Sequence, residues 1–217
     1  MTTASRRAEQ VVMVAWLVAI VAATVQQGIV RQNNNFLIFR AASLHLLHGL
    51  DLYAAYPALH FDFYKYSPTF ALLFLPFAVL PLGLSMLLWN ALNAGALYAA
   101  MGMILPRRAA LVARTIVFLD LFGSLQNVQS NGLVAALIII TFAAYERRHS
   151  MIAGVAAVTG AFIKVFPLAG LSFAVFHPRK VRMAIAAAVA TLVLLLVPLL
   201  VTSPSALLAQ YASWRAI

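Results

Sequence analysis

Residues 84–105 read LSMLLWNALNAGALYAAMGMIL, an apolar run without a single charged side chain. About 20 such residues cross the hydrocarbon core of a bilayer as one helix. Outward from this run the pattern repeats, with further apolar segments at roughly 11–30, 68–82, 109–125, 132–145, 151–176 and 183–202. Of 217 residues, 64% are hydrophobic and 9% charged, against about half and a quarter in a soluble domain. No aqueous fold of this length hides so much apolar surface, which excludes a soluble enzyme, a disordered tail and a nucleic-acid module. The expected fold class is all-α, a polytopic transmembrane helix bundle forming one domain over 1–217. Its length leaves room for about six or seven passes. Segment 11–30 is long for the apolar region of a signal peptide and is expected to stay as the first helix.

The net charge of +10 is carried largely by clusters between apolar runs: Arg6-Arg7, Arg107-Arg108, Arg147-Arg148 and Arg179-Lys180-Val181-Arg182. Such clusters orient helices, because cytoplasmic loops carry the excess of Lys and Arg. The absence of cysteine excludes disulfides, thiolate catalysis and Cys-type metal sites. With Arg6 and Arg7 inside, the stretch 31–67 lies outside the cytoplasm. Taken as two spans, 68–82 and 84–105 would then carry Arg107 and Arg108 outside as well, against the charge rule. Segment 151–176 has basic residues on both flanks, and one reading of it is a re-entrant pair of half-helices with Lys164 to Pro167 at the apex. Membranes admit that geometry only around a protein-lined or wet cavity. Segments 109–125 and 132–145 are joined by the polar apex Gln126-Asn127-Val128-Gln129-Ser130-Asn131.

The stretch 31–67 departs from this monotony. It opens Arg31-Gln32-Asn33-Asn34-Asn35, where Asn34 or Asn35 is suited to cap a helix, and Gly49 is suited to end it. That helix is too short and polar to span, and it is expected to lie amphipathically at the interface. The loop after it holds Asp51, Tyr53, Tyr56, His60, Asp62, Tyr64, Lys65 and Tyr66. Asp62, directly before a span and beside a cation and aromatics, is the first choice of general base, with Asp51 second. A solvated carboxylate or a cap is the ordinary fate of a loop Asp.

Lys65, Arg40 and Lys164 are candidate phosphate partners as charge-assisted donors. Lys65 and Arg40 equally suit snorkelling to any headgroup, whereas Lys164 lies mid-segment, where an ionisable side chain is a functional candidate by default. Asp120 shares that position in an apolar stretch, and pairing with Lys164 is its ordinary reading. His60, Tyr66, Asn93, Gln129 and Asn131 are expected to line a polar cavity for a sugar, although interhelical hydrogen bonding is the commoner role of an intramembrane Asn or Gln. His45 and His48, three apart, together with His60 or Asp62 are of the type that holds a divalent metal. That spacing is common by chance, so no cofactor and no metal site is expected.

These residues also form a familiar series. Asn35-Phe36, Phe39, Ala41-Ala42, Leu47, Gly49, Asp51-Leu52-Tyr53, Tyr64-Lys65-Tyr66-Ser67-Pro68, Pro76, Pro81, Trp89 and Asn93 resemble glycosyltransferase family 87. Gln129-Ser130-Asn131, Arg147-Arg148, Ala153-Gly154 and Lys164 with Pro167 continue the resemblance, in order, to about residue 182. The resemblance implies a membrane hexosyltransferase of the mannosyltransferase type with a carboxylate in its first extracytoplasmic loop. It implies a polyprenyl-phosphate-linked sugar donor, a glycan or glycolipid acceptor, and a bacterial-type inner or plasma membrane with the active face extracytoplasmic. It also implies an acid before the Phe that opens the interfacial helix; here Asn35 stands there and takes no proton, leaving Asp62 or Asp51. Family members are longer, so a missing C-terminal half or a partner subunit is implied too. Two other readings fit the residues: an inactive binding or assembly subunit of the same fold, and a small-solute transporter.

Overall fold

The computed structural model describes residues 3–27, 33–176 and 178–217, so the end of segment 11–30, together with Arg31 and Gln32, lies outside the described residues. Helix α1 covers Thr3–Thr24, α2 Asn34–His48, α3 Pro68–Ala78, α4 Leu82–Ile104, α5 Arg107–Ile116 and α6 Phe118–Gln126. They are followed by α7 Asn131–Glu146, α8 Ser150–Ile163, a 3-10 segment Phe166–Phe176, α9 Lys180–Leu196 and α10 Pro204–Arg215. The described residues form an all-α bundle, and the apolar segments of the sequence are built from its helices.

Not every apolar segment forms a helix long enough to cross a bilayer by itself. Among the described residues, three helices are long and apolar enough to span a bilayer: Ser5–Gln27, Leu82–Ile104 and Lys180–Leu200. A fourth span arises if α5 and α6, bent by 48° at their junction, act as one. Length and composition alone thus mark three or four spans, fewer than the roughly six or seven for which the chain has room, while α7 and α8 are shorter apolar helices. Helix α3 has 11 residues, about 16 Å at 1.5 Å per residue, against a hydrocarbon core of about 30 Å. Pro76 within α3 and Pro81 just before α4 account for its brevity.

This shortening removes the topological conflict. Arg107 forms an ion pair with Glu9, so the start of α1 and the end of α4 share one end of the bundle. A single crossing by α4 returns the chain there. Arg147 donates to the Met103 carbonyl at 2.6 Å, and Arg148, Arg179 and Arg182 line one small cavity. The clusters around residues 107, 147 and 179 thus lie with the start of α1 at one end, as the charge rule requires. Towards the other end, Gln126 donates to Gln26 at 2.8 Å and Asn35 to the Asn127 carbonyl at 2.8 Å.

Helix α2 begins one residue earlier than the sequence suggested. Asn33 is its cap, and its side-chain oxygen accepts from the Asn35 and Phe36 N–H groups. Gly49 ends it at φ 68°, in the left-handed region open to glycine. The helix is more enclosed than a surface helix, with Ile38, Phe39, Ala41, Ala42 and Ser43 all buried. Phe39 meets Tyr66, Phe70, Phe74 and Trp89 edge-on at 5.0–6.2 Å between ring centres. That aromatic core fixes α2 against α3 and α4 beside the stretch 61–67.

The two arms expected over 151–176 are present as a hairpin. α8 stops at Ile163, Lys164 is extended at φ −145° and ψ 143°, and the 3-10 segment returns along α7. A side chain at Gly160 would place its Cβ 2.7 Å from Pro167, so glycine lets the two arms touch. Asn93 acts from a neighbouring helix: its Oδ1 accepts the Leu133 N–H at 2.9 Å in the first turn of α7, a turn that no side chain of its own end caps. Replacing Asn93 by Ala removes that cap, and it is expected to lower stability by about 1 kcal/mol. Thermal unfolding of purified Asn93→Ala protein in detergent measures this, and an unchanged midpoint contradicts it.

Candidate functional site

Two short helix starts build the site. Ser67 precedes Pro68 and caps α3, its Oγ accepting the Phe70 N–H at 3.1 Å while donating to the Phe162 carbonyl at 2.5 Å. Proline at the first helical position has no N–H to leave unsatisfied. The same Ser-Pro pair recurs at Ser203-Pro204 and starts α10, with Ser203 Oγ accepting the Ala206 N–H. α10 folds back on the loop through buried Gln210, which accepts the Leu52 N–H at 3.0 Å and donates to the Leu50 carbonyl at 2.9 Å. The loop 50–67 is thereby held between α2, the start of α3 and α10.

A cavity of about 670 Å³ opens where these elements meet the α8 apex. Asp62, Lys65, Tyr66, Gln129 and Lys164 all line it, as does Asn35. Residues distant in sequence are thus gathered into one wall. Its rim includes Val165 and Phe166, 65% and 67% exposed. An apolar rim and a polar floor suit a ligand that is part lipid and part polar.

Asp62 and Lys65 form an ion pair, with Nζ 3.0 Å from Oδ1 and 3.2 Å from Oδ2. The Phe63 N–H also donates to Oδ1 at 2.8 Å. The Lys65 ammonium and then this N–H hold the Asp62 carboxyl below the usual carboxylate range. His60 is buried and its Nδ1 lies 2.7 Å from the Asp62 carbonyl, while Asn34 Oδ1 accepts the Phe61 N–H at 3.0 Å. Both contacts fix the backbone that presents Asp62. Tyr66 packs edge-on to Phe39 and tilted against Phe70, and burial raises its phenol pKa, so it stays protonated.

Lys164 faces neutral partners. Its Nζ lies 2.7 Å from Asn131 Oδ1 and 3.3 Å from Gln129 Oε1. Two amide oxygens orient an ammonium without neutralising it, which leaves its charge available to an anion in the cavity. The turn that presents Gln129 is strained: Val128 is buried and has φ 47°. A β-branched residue in that region costs about 1–3 kcal/mol and is found where the surroundings over-determine it.

The other sequence candidates lie apart from this cavity. Asp51 Oδ1 accepts the Tyr53 N–H at 3.0 Å and its Oδ2 lies 3.3 Å from Ser213 Oγ, so it ties the loop to α10. Arg40 on α2 does not line the cavity, and Asn93 is spent on α7. Asp120 is exposed in the first turn of α6 and is not the partner of Lys164. Among the described residues no group of three His, Asp or Glu side chains is placed to hold a metal ion. His45 stacks on Tyr56 and His48 bonds to the Leu44 carbonyl. Trp214 lines the cavity and was not singled out from the sequence. The repeated Ser-Pro pair is the signal that marks the helix carrying it.

Fold and cavity together define an integral-membrane helical protein with a carboxylate and two cations at one pocket. The sequence profile of glycosyltransferase family 87 matches residues 63–216, and the chain belongs to that family. Membership implies a membrane glycosyltransferase. Comparison with curated proteins and with solved structures gives no match. The family range includes Lys65, Tyr66, Asn93, Gln129, Asn131, Lys164 and Trp214, extends past residue 182 through α10, and begins just after Asp62. Asn35, Arg40, Asp51 and His60 precede it.

The ion pair makes a testable electrostatic claim. Lys65→Gln removes the largest cause of the lowered Asp62 pKa, which then rises towards its ordinary value of 3.8. Carboxyl-resolved NMR titration of the variant is expected to show protonation at higher pH than in the parent. Coincident titration curves contradict the pairing.

Proposed function

We propose that this protein transfers a hexose, mannose-like, from a polyprenyl-phosphate donor to a glycan or glycolipid acceptor. The observation that carries the reading is the convergence of Asp62, Lys65 and Lys164 on one cavity with an apolar rim. A lipid-phosphate sugar has the matching parts: an apolar chain for the rim, an anion for the lysines and a sugar for the polar floor. The rule that places basic clusters in the cytoplasm puts the pocket on the extracytoplasmic side.

Glycosyl transfer passes through an oxocarbenium-like state as the bond from sugar C1 to the phosphate oxygen breaks. The electron pair of that bond leaves with the phosphate, whose charge Lys164 and Lys65 stabilise. A new bond forms between C1 and the acceptor hydroxyl oxygen, and Asp62 takes the hydroxyl proton. The low basicity of Asp62 suits a proton transfer that comes late, once C1 has become electrophilic. Gln129 and Asn131 orient Lys164, and Tyr66 offers an O–H donor and an aromatic face to the sugar. No metal or cofactor enters these steps.

Asn35 supports a second reading. It lines the cavity where the family resemblance implies an acid, which favours a binding or assembly subunit that presents the same lipid without turning it over.

Transfer from a radiolabelled polyprenyl-phosphate mannose in proteoliposomes separates the two. Asp62→Asn is expected to lower turnover by about 10²-fold or more, and Lys164→Gln by a comparable factor. Asp51→Asn keeps an oxygen that accepts from Tyr53 and is expected to retain most of the activity. An inactive parent chain that gains transfer on Asn35→Asp establishes the subunit reading. Full activity in both Asp62→Asn and Lys164→Gln rejects the mechanism.

A further inference from the structure

At the end of the bundle opposite the pocket, two surface features join. A small cavity of about 290 Å³ is lined by Arg148, His149, Ser150, Arg179 and Arg182, with no carboxylate among its residues. Beside it a groove of about 610 Å³ follows α8 and α9, lined by Val155, Ile185, Val189, Val193 and other apolar side chains. Met151 and Arg182 belong to both, so the groove begins where the basic cavity ends.

The local chemistry of the cavity favours an anion. The chain enters α8 and α9 through His149 and Arg179, and neither residue caps its helix with a side-chain hydrogen bond. First-turn N–H groups of a helix carry partial positive charge, and here two helix starts meet among three arginines. Arg148 holds φ 60° at the end of α7, a left-handed position usually given to Gly or Asn. The α7–α8 turn thus places an arginine where backbone preference alone selects a smaller residue.

The groove has the dimensions of one lipid tail. From Arg182 to Leu194 along α9 is about 18 Å, close to the half-thickness of about 15 Å that one leaflet's chains fill. A ligand that satisfies both features has an anionic head at the basic end and an apolar tail reaching towards the bilayer centre.

We propose that this end of the protein binds one anionic phospholipid, with its phosphate among Arg148, Arg179 and Arg182 and an acyl chain in the α8–α9 groove. Basic pockets between helices on the cytoplasmic side recognise anionic headgroups in this way. The site is separate from the sugar-transfer pocket and does not depend on that activity. The bound lipid bridges α8 and α9 at the base of the hairpin whose apex carries Lys164.

Native mass spectrometry of the detergent-purified full chain tests this with dioleoyl phosphatidylglycerol, dioleoyl phosphatidylcholine and glycerol 1-phosphate as probes. One phosphatidylglycerol is expected to be retained in preference to phosphatidylcholine. Arg148→Asn and Arg182→Gln are each expected to weaken that retention about 5-fold. Arg148→Asn relieves the left-handed backbone, so its thermal midpoint is expected not to fall, which separates lost charge from lost fold. Val189, 56% exposed, faces the groove; Val189→Trp is expected to weaken retention while the basic cavity stays intact. Equal retention of both lipids, or unchanged phosphatidylglycerol retention in the two arginine variants, overturns the proposal. Competition by glycerol 1-phosphate equal to that of the lipid overturns it too, by showing a site for free phosphate. Unchanged retention in Val189→Trp rejects the groove as the tail site.

Discussion

The contact on which the site depends is that of Lys164 with the amide oxygens of Asn131 and Gln129. An ammonium among apolar helices is costly unless its three donors are met. Here they are met in part by neutral groups at the start of α7, and that choice has consequences in both directions. It pins the apex of the α8 hairpin to its neighbour, and it leaves a positive charge uncancelled at the cavity wall. A carboxylate partner gives the first effect without the second. Asp120, the acid that the sequence offered for that role, lies on the exposed side of α6 instead.

The same economy governs the rest of the bundle. With so few charges, each cluster has a large influence on which way a helix runs. The Glu9–Arg107 pair and the Arg147–Met103 contact collect basic loops at one end, leaving the other end to amides, aromatics and the Asp62–Lys65 pair. Helix breaks follow: Pro76 and Pro81 stop α3 short, α5 and α6 bend, and the 3-10 segment completes a hairpin. Irregular backbone at such depth needs polar neighbours or a wet cavity, and the site lies at one of these breaks, the turn between α8 and the 3-10 segment.

Much of this was legible in the sequence, for physical reasons that also explain what was not. Composition alone established a membrane helix bundle, and the flanking charges of 151–176 pointed to a hairpin with Lys164 at its tip. The number of crossings was not legible, because an apolar run records hydrophobicity and not length after proline has cut it. Asn33 took the cap expected of its neighbours, since three successive asparagines are equivalent until the backbone chooses. Asp62 stood ahead of Asp51 in sequence only through its neighbours, a cation, aromatics and the following span. In space they part fully: Tyr53 and Ser213 occupy Asp51, and Lys65 with the cavity occupies Asp62. Asn93 shows the opposite limit: its polarity was visible, but its service to α7 depends on a contact forty positions away.

The central claim is that a lipid phosphate enters past Val165 and Phe166 to reach Lys164. Photo-crosslinking with a diazirine-bearing polyprenyl phosphate in proteoliposomes, followed by peptide mapping, measures this directly. The account predicts labelling concentrated between residues 158 and 168, competed away by unlabelled polyprenyl phosphate and reduced in Lys164→Gln. Labelling spread over the lipid-facing side of α1 at Leu17 to Val25, unaffected by competitor or by the substitution, contradicts it.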